Sequence, residues 1–199
     1  FGTGMIAYND TCFYRRNSWL NGLTAAWRRG QWSVTSVTSV QHIDDNMTLD
    51  QDFLPASYFT LTQRRRETSV TQDFIVDRRG GRYDSLAGLF GFTRHTSMRA
   101  PVTFMQEGID ELILKYPNQM NSYRETRWDE PSFVLNSDFS HPTRGIGIYH
   151  NSTYRLGRFT FAGALRLEIE RPSLDYHSYV RTSYTAYRRD DPLLDPETT

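Results

Sequence analysis

Phe159-Thr160-Phe161-Ala162-Gly163-Ala164-Leu165-Arg166-Leu167-Glu168-Ile169-Glu170 is the stretch whose reading decides the fold. Successive side chains of a strand point to opposite faces. An extended chain here puts Phe159, Phe161, Gly163, Leu165, Leu167 and Ile169 on one face. The other face carries Thr160, Ala162, Ala164, Arg166, Glu168 and Glu170. One face is non-polar throughout and the other ends in charge, which is the period of a strand and not of a helix. Phe159 to Ile169 also has the length, ~9–11 residues, that crosses a bilayer as a tilted strand. The alternation predicts that Phe159, Phe161, Leu165, Leu167 and Ile169 face lipid, with Arg166, Glu168 and Glu170 facing a polar lumen. A soluble antiparallel sheet can write the same alternation, so the wider pattern has to decide.

Immediately upstream, Arg155-Leu156-Gly157-Arg158 joins this strand to one near Arg144–Arg155. Two further hairpins are predicted. One pairs strands near Ser18–Arg28 and Trp32–Ile43 through Arg28-Arg29-Gly30-Gln31. The other pairs Glu67–Asp77 and Tyr83–His95 through Arg78-Arg79-Gly80-Gly81-Arg82. Each turn holds Gly, which supplies the positive φ that tight hairpins need. The remaining connections, Asp44–Arg66 and Thr96–Thr143, are long. Short turns on one side and long loops on the other are the habit of an outer-membrane barrel, and all three short turns are expected at one end of the sheet. The strand at Leu86–Arg94 is less regular, since Leu86, Gly88, Phe90 and Phe92 share a face and Leu89 lies on the other. Ser and Thr fall on both faces of Trp32–Ile43. Trp19, Trp27 and Trp32 sit near strand ends, where a membrane barrel carries its aromatic girdles.

The second long loop is expected to hold one helix. Pro101 opens it, Met105, Ile109, Leu112, Ile113 and Tyr116 recur at helical spacing, and Pro117 stops it. Glu107, Asp110 and Glu111 early and Lys115 late suit the helix dipole.

Composition agrees with a membrane barrel and excludes other classes. Among 199 residues there are 12 Tyr, 12 Phe and 4 Trp, yet the mean hydropathy is −0.63. No run approaches the ~20 apolar residues of a spanning helix. The formal net charge is zero, against a dedicated nucleic-acid binder. Lys115 is the sole lysine, and Cys12 the sole cysteine, so no disulfide framework or zinc cluster is available.

Sites of chemistry are sparse. The five His, at 42, 95, 141, 150 and 177, form no short metal spacing. His42 and His95 fall near loop ends, where they could coordinate iron, although solvated histidines are commoner. Asp44, Asp45, Asn46, Asp50 and Asp52 make an acidic segment dense enough in oxygen to consider Ca²⁺. No glycine or closing Glu completes an EF-hand there, leaving Asp44, Asp45, Asp50 and Asp52 as a weak calcium candidate. Gly2-Thr3-Gly4 and Gly145-Ile146-Gly147 lack the third glycine and context of a dinucleotide site. There is no G-x-S-x-G, and neither a Ser–His set nor paired carboxylates can be assembled. No catalytic residue, and no cofactor, is expected.

Three segments resemble the barrel of TonB-dependent outer-membrane receptors. Tyr149-His150-Asn151-Ser152-Thr153-Tyr154, the turn through Gly157, and Phe159-Thr160-Phe161-Ala162-Gly163-Ala164-Leu165-Arg166-Leu167-Glu168 resemble that family's aromatic, Gln-Ala-Thr-Tyr, turn, Thr-Ala-Gly-Leu-Arg-Tyr-Glu text. Val70-Thr71-Gln72-Asp73-Phe74 is similar to its Ile-Thr-Gln-Glu-Phe strand. Ser85-Leu86-Ala87-Gly88-Leu89-Phe90-Gly91-Phe92 is similar to its Trp-Leu-Ala-Gly-Leu-Phe-Tyr-Phe strand. The three come in the family's order across most of residues 18–170.

The resemblance implies an all-β, antiparallel transmembrane barrel segment, with residues 1–199 as part of a larger barrel domain. The signal peptide, plug and barrel end would lie outside it. It implies outer-membrane lipid, a small nutrient ligand and, through the missing N-terminal part, the inner-membrane TonB complex as partners. The implied activity is TonB-energised import of a scarce nutrient, with a ferric siderophore or another iron complex the first expectation. Tyr116, Tyr123, Arg124, Arg127 and Trp128, in the second long loop, are the candidate ligand contacts, since rings and positive charge suit an anionic iron chelate. The rival readings are a soluble β-sandwich binding module, which would show loops of equal length at both ends, and an outer-membrane barrel enzyme, which would need a Ser/His or Asp/His set at one rim.

Overall fold

Gly30, Gly81 and Gly157 have φ of 61°, 67° and 60°, and each closes a hairpin. At Gly30-Gln31 and Gly157-Arg158 only the first residue of the turn has positive φ, the pattern of the type II′ turn that matches strand twist. The computed structural model describes residues 9–189. Its strands are β1 (Phe13–Arg29), β2 (Trp32–Asp50), β3 (Phe59–Arg78), β4 (Tyr83–Arg99), β5 (Val102–Met105), β6 (Arg124–Trp128), β7 (Ser132–Leu156), β8 (Phe159–Pro172), β9 (Asp175–Val180) and β10 (Tyr184–Arg188). All pairings are antiparallel, and the main sheet runs β1-β2-β3-β4-β7-β8.

Two of the short strands are continuations. Arg99 of β4 lies opposite Asp138, and Val102 of β5 opposite Leu135, so β5 keeps the register of β4 across Ala100-Pro101. Likewise Pro172 of β8 faces Thr143 and Asp175 of β9 faces Ser140. The Ala100 N–H donates to Ser137 O at 2.8 Å and the Ser173 N–H to Pro142 O at 2.9 Å, closing both joints. The sheet is therefore six long strands with unbroken ladders. Antiparallel succession puts the turns at Gly30, Gly80–Gly81 and Gly157 at one end of the sheet, as expected from their sequence. The Arg79 N–H donates to Gln31 O at 2.9 Å and the Arg155 N–H to Arg82 O at 2.8 Å, so neighbouring hairpins touch there.

The register fixes which residues share a face. Leu165 pairs with His150, and through it with Ala87, Val76, Val34 and Trp27. That face carries Leu23, Trp27, Trp32, Val34, Phe74, Val76, Leu89, Ile146, Ile148, Phe161, Leu165, Leu167 and Ile169, and it is the exposed one: Leu165 is 64% exposed, Ile169 69% and Leu23 70%. The opposite face carries Asp45, Glu67, Asp73, Arg94, Tyr149, Arg166 and Glu168. The buried apolar residues among those described are Ile109 and Leu114 alone, and neither belongs to the sheet. A soluble sheet buries its apolar face; here that face is bare and the polar face is internally bonded.

The stagger of the turns gives the strand tilt. The row through Arg29 and Trp32 crosses the sheet to Gly163 on β8, yet the third turn begins at Phe159, about four residues lower. Four residues are ~13 Å of strand, and the two hairpin centres are four strand spacings, ~19 Å, apart. The strands therefore lean by ~35° if the turns share a plane, within the range of membrane barrels. Measured up each strand from its turn, the apolar face ends about ten residues on, at Trp19, Ile146 and Ile169. At that tilt this is a band of ~27 Å, close to the ~25 Å apolar belt of such barrels. Trp27, Trp32, Tyr83, Tyr154 and Phe161 stand on this face near the turn end and Trp19 near its other margin, which is a girdle arrangement.

Three expectations, on the first loop, the helix and the acidic segment, are corrected. The strands run past the apolar band at the loop end, so the supposed first loop from Asp44 to Arg66 is mostly β2 and β3, with only residues 51–58 between them. These extensions carry polar side chains on both faces, so backbone pairing, which leaves no hydropathy signal, holds them. In β4 the apolar-rich face of Leu86, Gly88, Phe90 and Phe92 is the polar-side face of the sheet, and Leu89 is the residue that joins the apolar face. Phe92 lies against Gly145 and the Arg166 guanidinium stands 5.7 Å above the Phe90 ring, so these rings cover glycine and charge.

The loop helix begins at Gln106, because Val102–Met105 continue the sheet, and ends at Met120, beyond Pro117. It is α-helical at Gln106–Gly108, π-helical at Ile109–Leu114 and α-helical again at Lys115–Met120. The widened turn lies directly ahead of Pro117, which lacks an N–H and crowds the turn before it. It also shifts the apolar phase: Ile109 and Leu114 are buried, while Leu112 and Tyr116 are exposed.

The acidic segment does not converge. Asp45 accepts from Arg16 at 2.6 Å and Tyr14 at 3.2 Å, Asp44 pairs with Arg66 at 3.4 Å, Asp50 accepts the Asn9 N–H at 2.9 Å, and Asp52 accepts the N–H groups of Leu54, Tyr58 and Phe59. Among the described residues no group of three or more His, Cys, Asp or Glu is placed to hold a metal ion.

Candidate functional site

The polar face of the sheet, with the loop elements above it, is where this chain gathers binding groups. Within the span of the apolar band, Tyr149 on β7 lies across Gly88 on β4 and donates to Asp73 on β3 at 2.9 Å. A Cβ on Gly88 would lie 2.0 Å from the Tyr149 ring, so glycine is required for the ring to cross. Arg166 donates to Glu168 at 2.8 Å on the same face. At the loop end of this face, Arg65 pairs with Glu67 at 2.5 Å, and Thr96 donates to Glu67 at 3.0 Å. Arg16 and Asp45 form a two-bond pair at 2.6 and 2.9 Å. The hydrogen bonds from Arg16 hold the Asp45 carboxyl below the usual carboxylate range, against a burial that pushes it up. In the β2–β3 connection burial pushes Asp52 up, but three backbone N–H donors outweigh it and its pKa is lowered.

Above these charges runs a row of rings. Phe59, Phe104 and Phe133 are register partners on β3, β5 and β7, with centroids 5.5 and 5.0 Å apart. Trp128 on β6 stacks on Phe133 at 5.1 Å and meets Tyr184 on β10 at 5.6 Å. The sequence reading missed Phe59, Phe104 and Phe133. Their segments alternate weakly, and only the cross-strand register brings them together.

The five predicted ligand contacts separate into two groups. Arg127 and Trp128 line a cleft of about 440 Å³ between β6 and the loop helix, together with Gln106, Asp110 and Lys115. Both also have protein partners: Arg127 pairs with Glu125 at 2.9 Å and stands 5.4 Å over the Tyr187 ring, and Trp128 Nε1–H donates to Thr182 at 2.6 Å. Tyr116 and Tyr123 are 69% and 81% exposed, Arg124 is exposed at the start of β6, and none of the three lines that cleft. The helix is tied to β6 by Asn118, whose side-chain amide donates to Thr126 O and accepts the Thr126 N–H, both at 2.8 Å. Its other end rests on the β2–β3 connection, where the Ser57 N–H donates to Glu107 at 3.0 Å. By register His42 and His95 stand on the apolar-side face, so they do not look into this site.

No family model matches the chain, and no curated protein does. Among solved structures, the ferric yersiniabactin uptake receptor FyuA from Yersinia pestis is similar, with a TM-score of 0.63 over 88% of this chain and 14% sequence identity. The chain spans 24% of that receptor's length. The likeness at this identity is one of fold alone.

Proposed function

We propose that this chain is a wall segment of an outer-membrane β-barrel receptor that takes up a scarce nutrient, with the apolar face against lipid and the polar face toward the lumen. The observation that carries the reading is the reversed hydropathy of the sheet. Apolar residues at 38–70% exposure across a ~27 Å band have no use in water and match a bilayer's hydrocarbon. Transport, and not a passive porin, is favoured by the loop end, where the extended strands, the helix and the two-stranded β6–β10 sheet build a cover over the polar face. The fold shared with a siderophore uptake receptor makes an iron complex the first cargo to test, energised through a TonB-type partner. Tyr116, Tyr123, Arg124, Arg127 and Trp128, with Phe59, Phe104 and Phe133, are its proposed contacts.

Deletion of the gene, followed by growth on single limiting nutrients with and without a working TonB system, tests this. Growth on at least one iron complex should fail in the deletion strain and in the TonB-deficient strain. Unchanged uptake of every cargo, or uptake without TonB, would remove the transport reading and leave only a barrel.

A further inference from the structure

On the apolar-side face the sheet carries more arginine than carboxylate above the band, first at Arg144 and Arg171 directly over it and then, further along the strands, at Arg15, Arg64, Arg66 and Arg99 among three aspartates. Arg144 on β7 and Arg171 on β8 are direct cross-strand partners, and both lie one step beyond the last apolar pair, Ile146 and Ile169. Arg64 on β3 and Arg99 on β4 are likewise direct partners. Like charges opposite one another in a sheet repel. Among the described residues the side chains of Arg144, Arg171 and Arg64 meet no hydrogen-bond or ion-pair partner, and Arg99 has only a 3.6 Å contact with Asp138. Arg15 and Arg66 flank the second pair, and Arg66 has a 3.4 Å contact with Asp44. Arg15, Arg64, Arg66 and Arg99 line one recess of about 820 Å³, which Asp44, Asp138 and Asp175 also line, so four arginines there meet three aspartates, while Arg144 and Arg171 lie outside it. The polar-side face at this height is different, since Arg16 and Arg65 there are matched by Asp45 and Glu67.

We infer that this outward arginine rim binds the phosphate headgroups of anionic lipid in the loop-side leaflet. The inference rests on the membrane reading above. Two guanidinium forks facing each other across a ladder can each donate two hydrogen bonds to one phosphate, which replaces their repulsion with attraction. The position selects lipid over a free anion: the arginines begin where the apolar band stops, so a lipid whose chains cover Ile146 and Ile169 brings its headgroup to Arg144 and Arg171. Phosphate there would fix the height of the wall in the bilayer and restrain β7 and β8 at the base of the loop cover.

The complete protein in nanodiscs of phosphatidylcholine, with or without phosphatidic acid, provides the test, read by native mass spectrometry of retained lipid. Insertion is scored first. The protein should retain phosphatidic acid in preference to phosphatidylcholine. Arg144→Gln with Arg171→Gln, and separately Arg64→Gln with Arg99→Gln, should each weaken retention on the order of twentyfold, or roughly fivefold per arginine near a charged surface. Arg29→Gln with Arg158→Gln, at the turn end, should change it less than about twofold. Equal retention of both lipids by an inserted protein would overturn the inference while leaving the membrane reading intact. So would equal losses from the turn-end variants, or displacement of the lipid by millimolar inorganic phosphate. Failure of the protein to insert at all would overturn both.

Discussion

A single residue's neighbour in register, more than its own hydropathy, sets what it costs to change. Leu165 and Ala164 are adjacent in sequence and point to opposite faces of β8. Leu165→Arg should destabilise the complete protein in vesicles by about 2–4 kcal/mol if it lies near the bilayer midplane, and Ala164→Arg should be far better tolerated. An unfolding titration giving equal shifts would contradict the assignment of faces. Gly88 shows the same dependence inside the sheet. Tyr149→Phe removes a hydrogen bond to a carboxylate and should cost about 1.5–3 kcal/mol. Gly88→Ala should cost at least as much, because its Cβ would lie 2.0 Å from the ring that makes the bond. In a Tyr149→Ala background the same Gly88→Ala change should cost little. Additive losses in that double-mutant cycle would mean that ring and glycine act independently. None of this was legible from β4 alone. Leu86, Gly88, Phe90 and Phe92 read as an apolar face because nothing local says that the two rings cover Gly145 of β7 and Arg166 of β8.

Whole elements divide by what holds them. The spanning parts of the strands were readable because a bilayer imposes alternation, as in Phe159–Ile169, and because Gly30, Gly81 and Gly157 mark turns that need positive φ. The loop-end extensions were not, since Arg64-Arg65-Arg66 opposite Asp44-Asp45-Asn46 has no apolar side to reveal a strand. Charge pairing supports them, so they should respond to acid. Asp45 binds its proton less readily in the folded state than in the unfolded chain, so its pair with Arg16 contributes stability above the ordinary carboxylate pKa. That contribution falls away as the pH drops below ~4. Hydrogen exchange in β1 and β2 beyond Trp19 should therefore quicken under acid while the spanning part stays protected, and Asp45→Asn should abolish this dependence. The loop helix is held differently. A Cβ on Gly108 would lie 2.2 Å from Tyr58 O, a backbone atom that cannot step aside cheaply. Gly108→Ala should expose residues 106–120 to limited proteolysis without shifting the thermal midpoint of the barrel. Proteolysis unchanged from the parent would show that the helix does not depend on this seat. Its reach past Pro117 escaped the sequence reading because a π turn, which ordinary helical spacing does not anticipate, absorbs the proline.

At the scale of the molecule, the claim to be tested is that one sheet separates hydrocarbon from water along its whole width. The sequence carried this in β8 and in the contrast of short turns with long connections. It did not carry the candidate site, because Phe59, Phe104 and Phe133 lie far apart in the chain and meet only through the ladders of β3, β5 and β7. A cysteine scan reaches both levels at once. In a Cys12→Ser background, single cysteines at residues 36 to 40 of β2 and 163 to 171 of β8 alternate between the faces. In vesicles, a membrane-impermeant maleimide should label the polar-side positions Val37, Ser39, Ala164 and Arg166. The apolar-side positions Thr38, Val40, Leu165 and Leu167 should stay protected until detergent removes the lipid. Cysteines at Arg64 and Arg99 should label in either condition, because they stand above the band, and phosphatidic acid in the vesicles should slow them. A water-soluble sheet would label both alternating sets alike in the absence of lipid and would show no change on adding vesicles. A barrel set at the wrong height would move the boundary between protected and labelled residues up or down the strand while keeping the alternation. The position of that boundary, expected between Ile169 and Arg171 on β8, therefore tests the ~27 Å band derived from the tilt independently of which face was assigned to lipid.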